Sequence, residues 1–144
     1  MQSKVGSFAI KDIVFMDMES SVFHLIEEFS SLHFSALPVL DRSGRCFGIV
    51  SPADVFDFIS SGGDVNAVKA WEICSHTMIY VHPDITITQA CEVMRDNGIH
   101  HLIVGDAEKP IGIISTMDII QKVREEGMAA VTSTHKNTAE GQNT

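Results

Sequence analysis

The feature that most constrains this chain is an internal repeat. Ser21–Val39 aligns with Thr86–Val104, 65 positions further along. In both segments apolar residues recur at i, i+3, i+4 and i+7, which is the spacing of one face of an α-helix. These residues are Val22, Leu25, Ile26 and Phe29 in the first copy and Ile87, Ala90, Cys91 and Met94 in the second. Such self-similarity predicts two copies of one supersecondary unit that stabilise each other by packing together.

The same elements surround the repeated helix in each copy. A short apolar strand precedes it, at Ile13–Met16 and at Met78–Val81. A second strand, a polar turn, a third strand and a second helix follow it. The second helices run from Pro52 to about Ser60 and from Thr116 to about Arg124. The sequence therefore predicts a β-α-β-β-α unit in duplicate and an α/β fold.

The domain boundaries follow from this repeat. We place the first copy at residues 7–60 and the second at residues 73–125. Residues 61–72 are predicted to be a flexible linker leading into a short helix over Val65–Ile73, and residues 126–144 a disordered tail. One unit of roughly 55 residues buries too little surface to be stable alone. We therefore expect the copies to pack strand face to strand face around one continuous core, with approximate two-fold symmetry.

Each copy carries one polar motif where its third strand meets its second helix. Gly48–Asp54 and Gly112–Asp118 both place a serine three residues before an aspartate. Helix capping explains this spacing, because the hydroxyl and the carboxylate both suit a helix N-terminus. A nucleotide site explains it too, because a helix N-terminus attracts phosphate and a carboxylate can accept hydrogen bonds from both ribose hydroxyls. The glycine permits a ligand or a neighbouring strand to come close. The recurrence of the whole motif favours a ligand site.

With these motifs the chain resembles a tandem pair of CBS domains, also called a Bateman module. The strongest are Gly48–Val55 and Gly112–Ile119, and Val81–Asp84 and Gly98–Val104 support them. The resemblance covers roughly residues 7 to 125. It implies two pseudo-symmetric β-α-β-β-α repeats packed sheet to sheet in a stand-alone CBS domain-containing protein. It also implies that AMP, ADP, ATP or S-adenosylmethionine binds in the cleft between the repeats.

The resemblance further implies a role for particular residues. The ribose would be held by Asp54 and Asp118. Phosphate would be approached by Ser51, Ser115, Thr116, His100 and His101. Adenine would lie against Ile13, Val14, Met78 and Ile79. The first copy has Ser35-Ala36 where the second has His100-His101, so we expect two unequal sites with the second copy as the principal contributor. Adjacent strand residues point to opposite faces, so one of the two histidines is expected to face the cleft.

Composition and motifs argue against several other classes of function. The net charge of -9 opposes nucleic-acid binding. The seven histidines lack the paired ligand spacing of a metal site. No activated nucleophile and no Walker or dinucleotide loop is present, so we expect neither an enzyme nor a catalytic cofactor. No apolar run is long enough for a membrane helix, and the three cysteines suggest no disulfide framework. The chain is expected to be cytoplasmic.

Two hypotheses follow. In the first, the chain is a regulatory module that binds an adenosine ligand and signals to an unidentified effector protein by conformational change. The apolar excess on the second helices, at Val55–Ile59 and Ile119–Val123, then predicts a homodimer. In the alternative, the chain is a dimerisation or protein-interaction scaffold with an empty, degenerate cleft. Replacing Asp54 and Asp118 by alanine discriminates the two, because only the first hypothesis needs these carboxylates.

Overall fold

The first copy is a three-stranded mixed sheet with two helices. The computed structural model describes residues 3–8, 14–31 and 36–127, and these carry the account that follows. In this copy the predicted order β-α-β-β-α is confirmed. Its elements are β1 (Met16–Asp17), α2 (Val22–Ser31), β2 (Leu37–Leu40), β3 (Cys46–Val50) and α3 (Pro52–Ser60), preceded in the chain by the short helix α1 (Val5–Phe8).

The second copy repeats the arrangement. Its elements are β4 (Tyr80–Val81), α5 (Ile87–Asn97), β5 (His101–Gly105), β6 (Pro110–Ser115) and α6 (Thr116–Glu126), preceded by the short helix α4 (Ala70–Ile73). In each sheet the middle strand pairs in parallel with the first strand and antiparallel with the third. The opening strands are shorter than predicted, because β1 and β4 each pair over two residues only.

The buried apolar side chains form one cluster in each copy instead of the single continuous core predicted. In the first copy the cluster joins α2 to the sheet through residues that include Leu25, Leu37 and Val50, and in the second it joins α5 to the sheet through residues that include Leu102 and Ile114. The strand residues between them, Pro38, Ile103 and Ile113, are buried as well but belong to neither cluster. Side chains alternate across a strand, so both faces of these strands are covered. One face of each sheet packs on the helix of its own copy, and the other face is turned toward the sheet of the other copy.

The short helices α1 and α4 pack on the copy that they do not belong to. The Val5 N–H donates to Ile85 O at 2.8 Å, and the Val5 side chain is fully buried in the second core. In the same way the Ala70 N–H donates to Ser20 O at 2.7 Å, and the Ala70 side chain lies in the first core. Val5 and Ala70 are 65 positions apart, like the rest of the repeat. The copies are therefore joined by a reciprocal exchange that the sequence analysis did not predict.

The helix predicted over Val65–Ile73 is shorter in the structure and begins at Ala70. The Asp64 carboxylate accepts the Asn66 N–H at 3.0 Å and holds a turn there instead. The Lys69 N–H donates to the Glu72 carboxylate at 2.8 Å, which caps the helix start. Because of these local side-chain hydrogen bonds, the helix begins at Ala70 and not at Val65.

Candidate functional site

The two strand–helix junctions have the same local geometry. The Ser51 N–H donates to Asp54 Oδ2 at 2.8 Å, and the Asp54 N–H donates to Ser51 Oγ at 3.3 Å. The Ser115 N–H donates to Asp118 Oδ2 at 2.8 Å, and the Asp118 N–H donates to Ser115 Oγ at 3.1 Å. Both are reciprocal capping boxes. The capping interpretation of the motif is confirmed at both junctions.

The surroundings of the first junction go beyond capping. A cleft with a volume of about 290 Å³ lies between the two copies, with Asp54 and Ser51 in its wall. Ala36 and Ile49 complete the contribution of the first copy. The second copy contributes the remaining lining residues, which are Ser75, Thr77, Met78, Ile79, Gly98, Ile99, His100, His101 and Ile103. In the described part of the chain, the hydrogen bonds of the Asp54 carboxylate fall on Oδ2. The other carboxylate oxygen is therefore available to a ligand.

The cleft combines residues of the two copies in a way that differs from the sequence expectation. The repeat alignment places Asp118 beside His100 and His101 and makes the second copy the main contributor. The structure instead places both histidines in the cleft that Asp54 and Ser51 line. The end of β3 in one copy lies opposite the loop before β5 in the other, a relation that an alignment of the copies does not contain. The histidines beside the first junction therefore come from the second copy.

Both histidines contribute to the lining of the cleft, and His100 also lines the groove between α5 and α6. Because β5 begins at His101, His100 lies in the bend before the strand, where the alternation of strand side chains does not apply. The left-handed Gly98 (φ 62°) ends α5 just before this bend. The Thr116 N–H donates to the His100 carbonyl at 3.0 Å and ties the bend to α6.

The residues predicted to meet adenine in the second copy lie in the same cleft. Met78 and Ile79 precede β4 and line the cleft without pairing in the sheet ladder. The Cys46 thiol lies 3.5 Å from the Met78 sulfur, and the Tyr80 hydroxyl lies 3.6 Å from it. These contacts hold Met78 between the copies. The Ile79 carbonyl accepts the Ile103 N–H at 2.9 Å, which fixes the backbone beside it.

Burial around the contact of Met78 with Cys46 and Tyr80 changes the pKa of the latter two groups. It raises the pKa of the Cys46 thiol. It also raises the pKa of Tyr80 to about 12, with the hydrogen bond to Cys46 as the second cause. Both groups are therefore protonated, and neutral, near neutral pH.

The other predicted residues are not brought into the Asp54 cleft. Ser115 is buried beside Asp118, and Thr116 lines a groove between α5 and α6. Val14 packs partly buried against the first core. Ile13 lies outside the described residues. A second cleft on Asp118 would draw on residues 9–13 and 32–35, which also lie outside them, so the roles of these residues stay predictions.

Several lining residues were not predicted from sequence. Ser75 and Thr77 place hydroxyl groups next to Met78, and Ile49 and Ile99 add apolar surface. The serine–threonine pair directly before a predicted adenine-contacting strand is a signal that could have found them. Within the described ranges no three histidine, cysteine or acidic side chains come together as metal ligands do.

Comparison with known proteins identifies the family. The sequence matches the CBS domain family twice, over residues 5–61 and 70–125. The chain belongs to the CBS domain family and carries a tandem pair of these domains. The three cysteines are free, and none of the helices among the described residues is both long and apolar enough to cross a membrane.

Similar proteins and structures agree with this fold. The chain is 28 % identical over 119 residues to an uncharacterized protein of Methanopyrus kandleri, covering 81 % of this chain and 61 % of that protein. It spans 21 to 61 % of the length of the first curated relatives that it matches. The CBS domain pair of protein MJ0100, in complex with 5'-methylthioadenosine and S-adenosyl-L-methionine, matches with a TM-score of 0.75 at 18 % identity, over 86 % of this chain and 98 % of that one. The CBS domain of the bacterial CNNM/CorC family Mg2+ transporter, in complex with ATP, matches with a TM-score of 0.71 at 19 % identity, over 86 % and 89 %. At these identities the structural likeness shows the fold.

Proposed function

We propose that this CBS pair is a regulatory module that binds an adenosine ligand in the Asp54 cleft and signals through a change in the arrangement of its two repeats. The observation that carries the proposal is the composition of the cleft. A carboxylate, a serine and two imidazoles meet the apolar Met78–Ile79 segment in one concave site between the repeats. Ligand sites are concave and largely apolar, with a few convergent polar groups.

The cleft offers a complementary partner to each part of an adenosine ligand. Adenine would lie on Met78 and Ile79, with Ile49 and Ile99 as further apolar surface. The ribose hydroxyls would donate to the Asp54 carboxylate, as acidic residues accept ribose in dinucleotide folds. A phosphate at the 5' end would point toward Ser51 and the histidines. The named ligands of the two similar structures, 5'-methylthioadenosine with S-adenosyl-L-methionine and ATP, support this class of ligand.

A ligand in this cleft would touch both repeats and so favour one arrangement of them. The repeats already touch elsewhere through the Arg45–Glu108 ion pair at 2.8 Å and through the Cys46 N–H, which donates to Ala107 O at 2.9 Å. A ligand shifts an equilibrium only by its difference in affinity for the two states. The output would be read by an effector protein whose identity is open.

Calorimetric titration with AMP, ATP and S-adenosylmethionine tests the proposal. We expect heat with at least one of them and a rise in melting temperature at saturating ligand, because a ligand of the folded state stabilises it. Absence of both effects with all three ligands would reject the proposed function and favour the scaffold hypothesis.

The exposed apolar surface of the second helices also favours homodimerisation. The second helices expose large apolar side chains on the surface of the described chain, with Phe56 67 % and Ile120 57 % exposed. Two apolar grooves lie beside them, one between α2 and α3 and one between α5 and α6. We expect sedimentation analysis to give a dimer that Phe56→Ser with Ile120→Ser weakens. Ile111→Ser, at a 47 % exposed strand position, is the control, and a monomeric wild-type protein would contradict this interface.

A further inference from the structure

The charges around the Asp54 cleft restrict the kind of adenosine ligand that it can take. Among its described lining residues Asp54 is the one with a fixed charge, and neither lysine nor arginine is present. The groups left to meet a phosphate are hydroxyls and the imidazoles of His100 and His101. A phosphate would therefore be repelled by the permanent charge of Asp54, because both groups are negative.

The N-terminus of α3 offers few free N–H groups that could offset the repulsion between Asp54 and a phosphate. Pro52 has no N–H, and the Ser51 and Asp54 N–H groups are engaged in the capping box. In the portion of the chain described, this leaves the Ala53 N–H as the unshared backbone donor of the first turn. Binding of phosphate by a helix N-terminus normally uses several free N–H groups together.

Among the residues that the structure describes, the charged groups near the two imidazoles include no cation that could take their place beside a phosphate. Asp54 faces them across the cleft. Asp118 follows Ser115, which is the strand partner of His101. Arg95 shares the neighbouring groove with His100, but it does not line the Asp54 cleft and its guanidinium lies 3.7 Å from the Asp96 carboxylate.

From this distribution we propose that the cleft admits a phosphate-bearing adenosine ligand only when His100 or His101 is protonated, and admits an uncharged adenosine compound at any pH near neutral. The proposal rests on the proposed function, because it concerns the same cleft. Histidine changes its charge between about pH 5 and pH 8. An imidazolium makes charge-assisted hydrogen bonds to phosphate oxygens, whereas the neutral ring leaves Asp54 to repel them.

The titration of the phosphate itself acts in the same direction in this cleft. A phosphate monoester gains negative charge as pH rises through about 6, which increases its repulsion by Asp54. Weaker binding at higher pH therefore has two sources, and replacing the two histidines separates them.

Calorimetric titration of the full chain with adenosine and with AMP, at about pH 6 and about pH 8, tests this inference. We expect the Kd for AMP to rise about tenfold at the higher pH, the effect of losing one charge-assisted hydrogen bond. The Kd for adenosine should stay within about twofold. An AMP affinity that is unchanged or higher at the higher pH overturns the inference.

Two variants test whether the pH dependence of the AMP Kd arises from His100 and His101. His100→Gln with His101→Gln should bind AMP weakly at both pH values and lose most of the pH dependence of the AMP Kd, and its adenosine affinity, measured in parallel, reports any disturbance of the cleft itself. An unchanged pH dependence in this variant would overturn the inference. His82→Gln is the matched control, because His82 is an exposed histidine that pairs with Asp84 outside the cleft, and it should keep the wild-type pH dependence. If adenosine binds but AMP shows no pH dependence, only this inference fails. If neither compound gives heat at either pH, this inference fails, and the titrations with ATP and S-adenosylmethionine decide the proposed function separately.

Discussion

At the scale of single residues, Asp54 and Asp118 make the same capping contacts, and their surroundings differ. Each carboxylate accepts the N–H of the preceding serine at 2.8 Å. Asp54 faces a cleft that the second repeat completes, whereas Asp118 lies beside the buried Ser115. The motif alone therefore cannot distinguish a cap from a ribose-binding group, and substitutions at the two positions can.

Asp54→Asn should lower the affinity for adenosine about tenfold or more, because a neutral amide is a weaker acceptor for two ribose hydroxyls than a carboxylate. It should also cost about 1 kcal/mol of stability through the weakened cap. Asp118→Asn should cost a similar amount of stability, which separates capping from binding. Calorimetry and thermal melting measure the two effects. Asp57→Asn, on the exposed part of α3, is the control, and wild-type affinity in Asp54→Asn would contradict the assigned role.

Tyr80 provides a second prediction at this scale. Burial and the Cys46 hydrogen bond raise its pKa to about 12 in the folded chain, whereas an unfolded tyrosine titrates near 10. The folded state therefore keeps its proton over this interval, so the contribution of Tyr80 to stability is complete below about pH 10 and is lost as pH rises toward 12.

The absorbance of phenolate measures this directly, because Tyr80 is the single tyrosine of the chain. We expect its ionisation to begin near pH 10 in denaturant and about two units later in the folded protein. Cys46→Ala should move the folded transition part of the way back. Coincident titration of folded and unfolded protein would contradict the burial of this hydroxyl between the repeats.

At the scale of elements, the exchange of α1 and α4 is the part of the fold that sequence predicted least well. The long helices were predictable because their apolar periodicity and caps are local, as at Thr86 and Gln89, whose capping box is present. Helices of four residues carry no such periodicity. Their position is set by backbone hydrogen bonds to the other repeat, and distant partners leave no local pattern.

Val5→Ala should therefore destabilise the second repeat although Val5 precedes the first. Its side chain is fully buried in the second core, and removing two methyl groups there costs about 1–3 kcal/mol. Chemical denaturation measures the loss, and hydrogen exchange should locate it in α5. Ser7→Ala, at an exposed position with a hydrogen bond only to Lys4 O, is the control. A change confined to the first repeat would contradict the exchanged packing.

At the scale of the whole molecule, the repeat predicts the fold class. It does not predict which residues of one copy meet which residues of the other. The β-α-β-β-α units and their sheet-to-sheet packing followed from patterns within each copy. The pairing of Asp54 with His100 and His101 depends on how the copies are oriented, and an alignment of one copy on the other tends to group residues of the same copy. The cleft belongs to the pair, since each repeat alone holds only part of it.

A crystal structure of the protein with bound adenosine tests the central claim most directly. We predict the ribose hydroxyls within hydrogen-bond distance of the Asp54 carboxylate and the adenine against Met78 and Ile79. We also predict that the 5' end of the nucleoside points toward His100 and His101. An empty Asp54 cleft at saturating adenosine, or adenosine bound elsewhere on the molecule, would contradict the account.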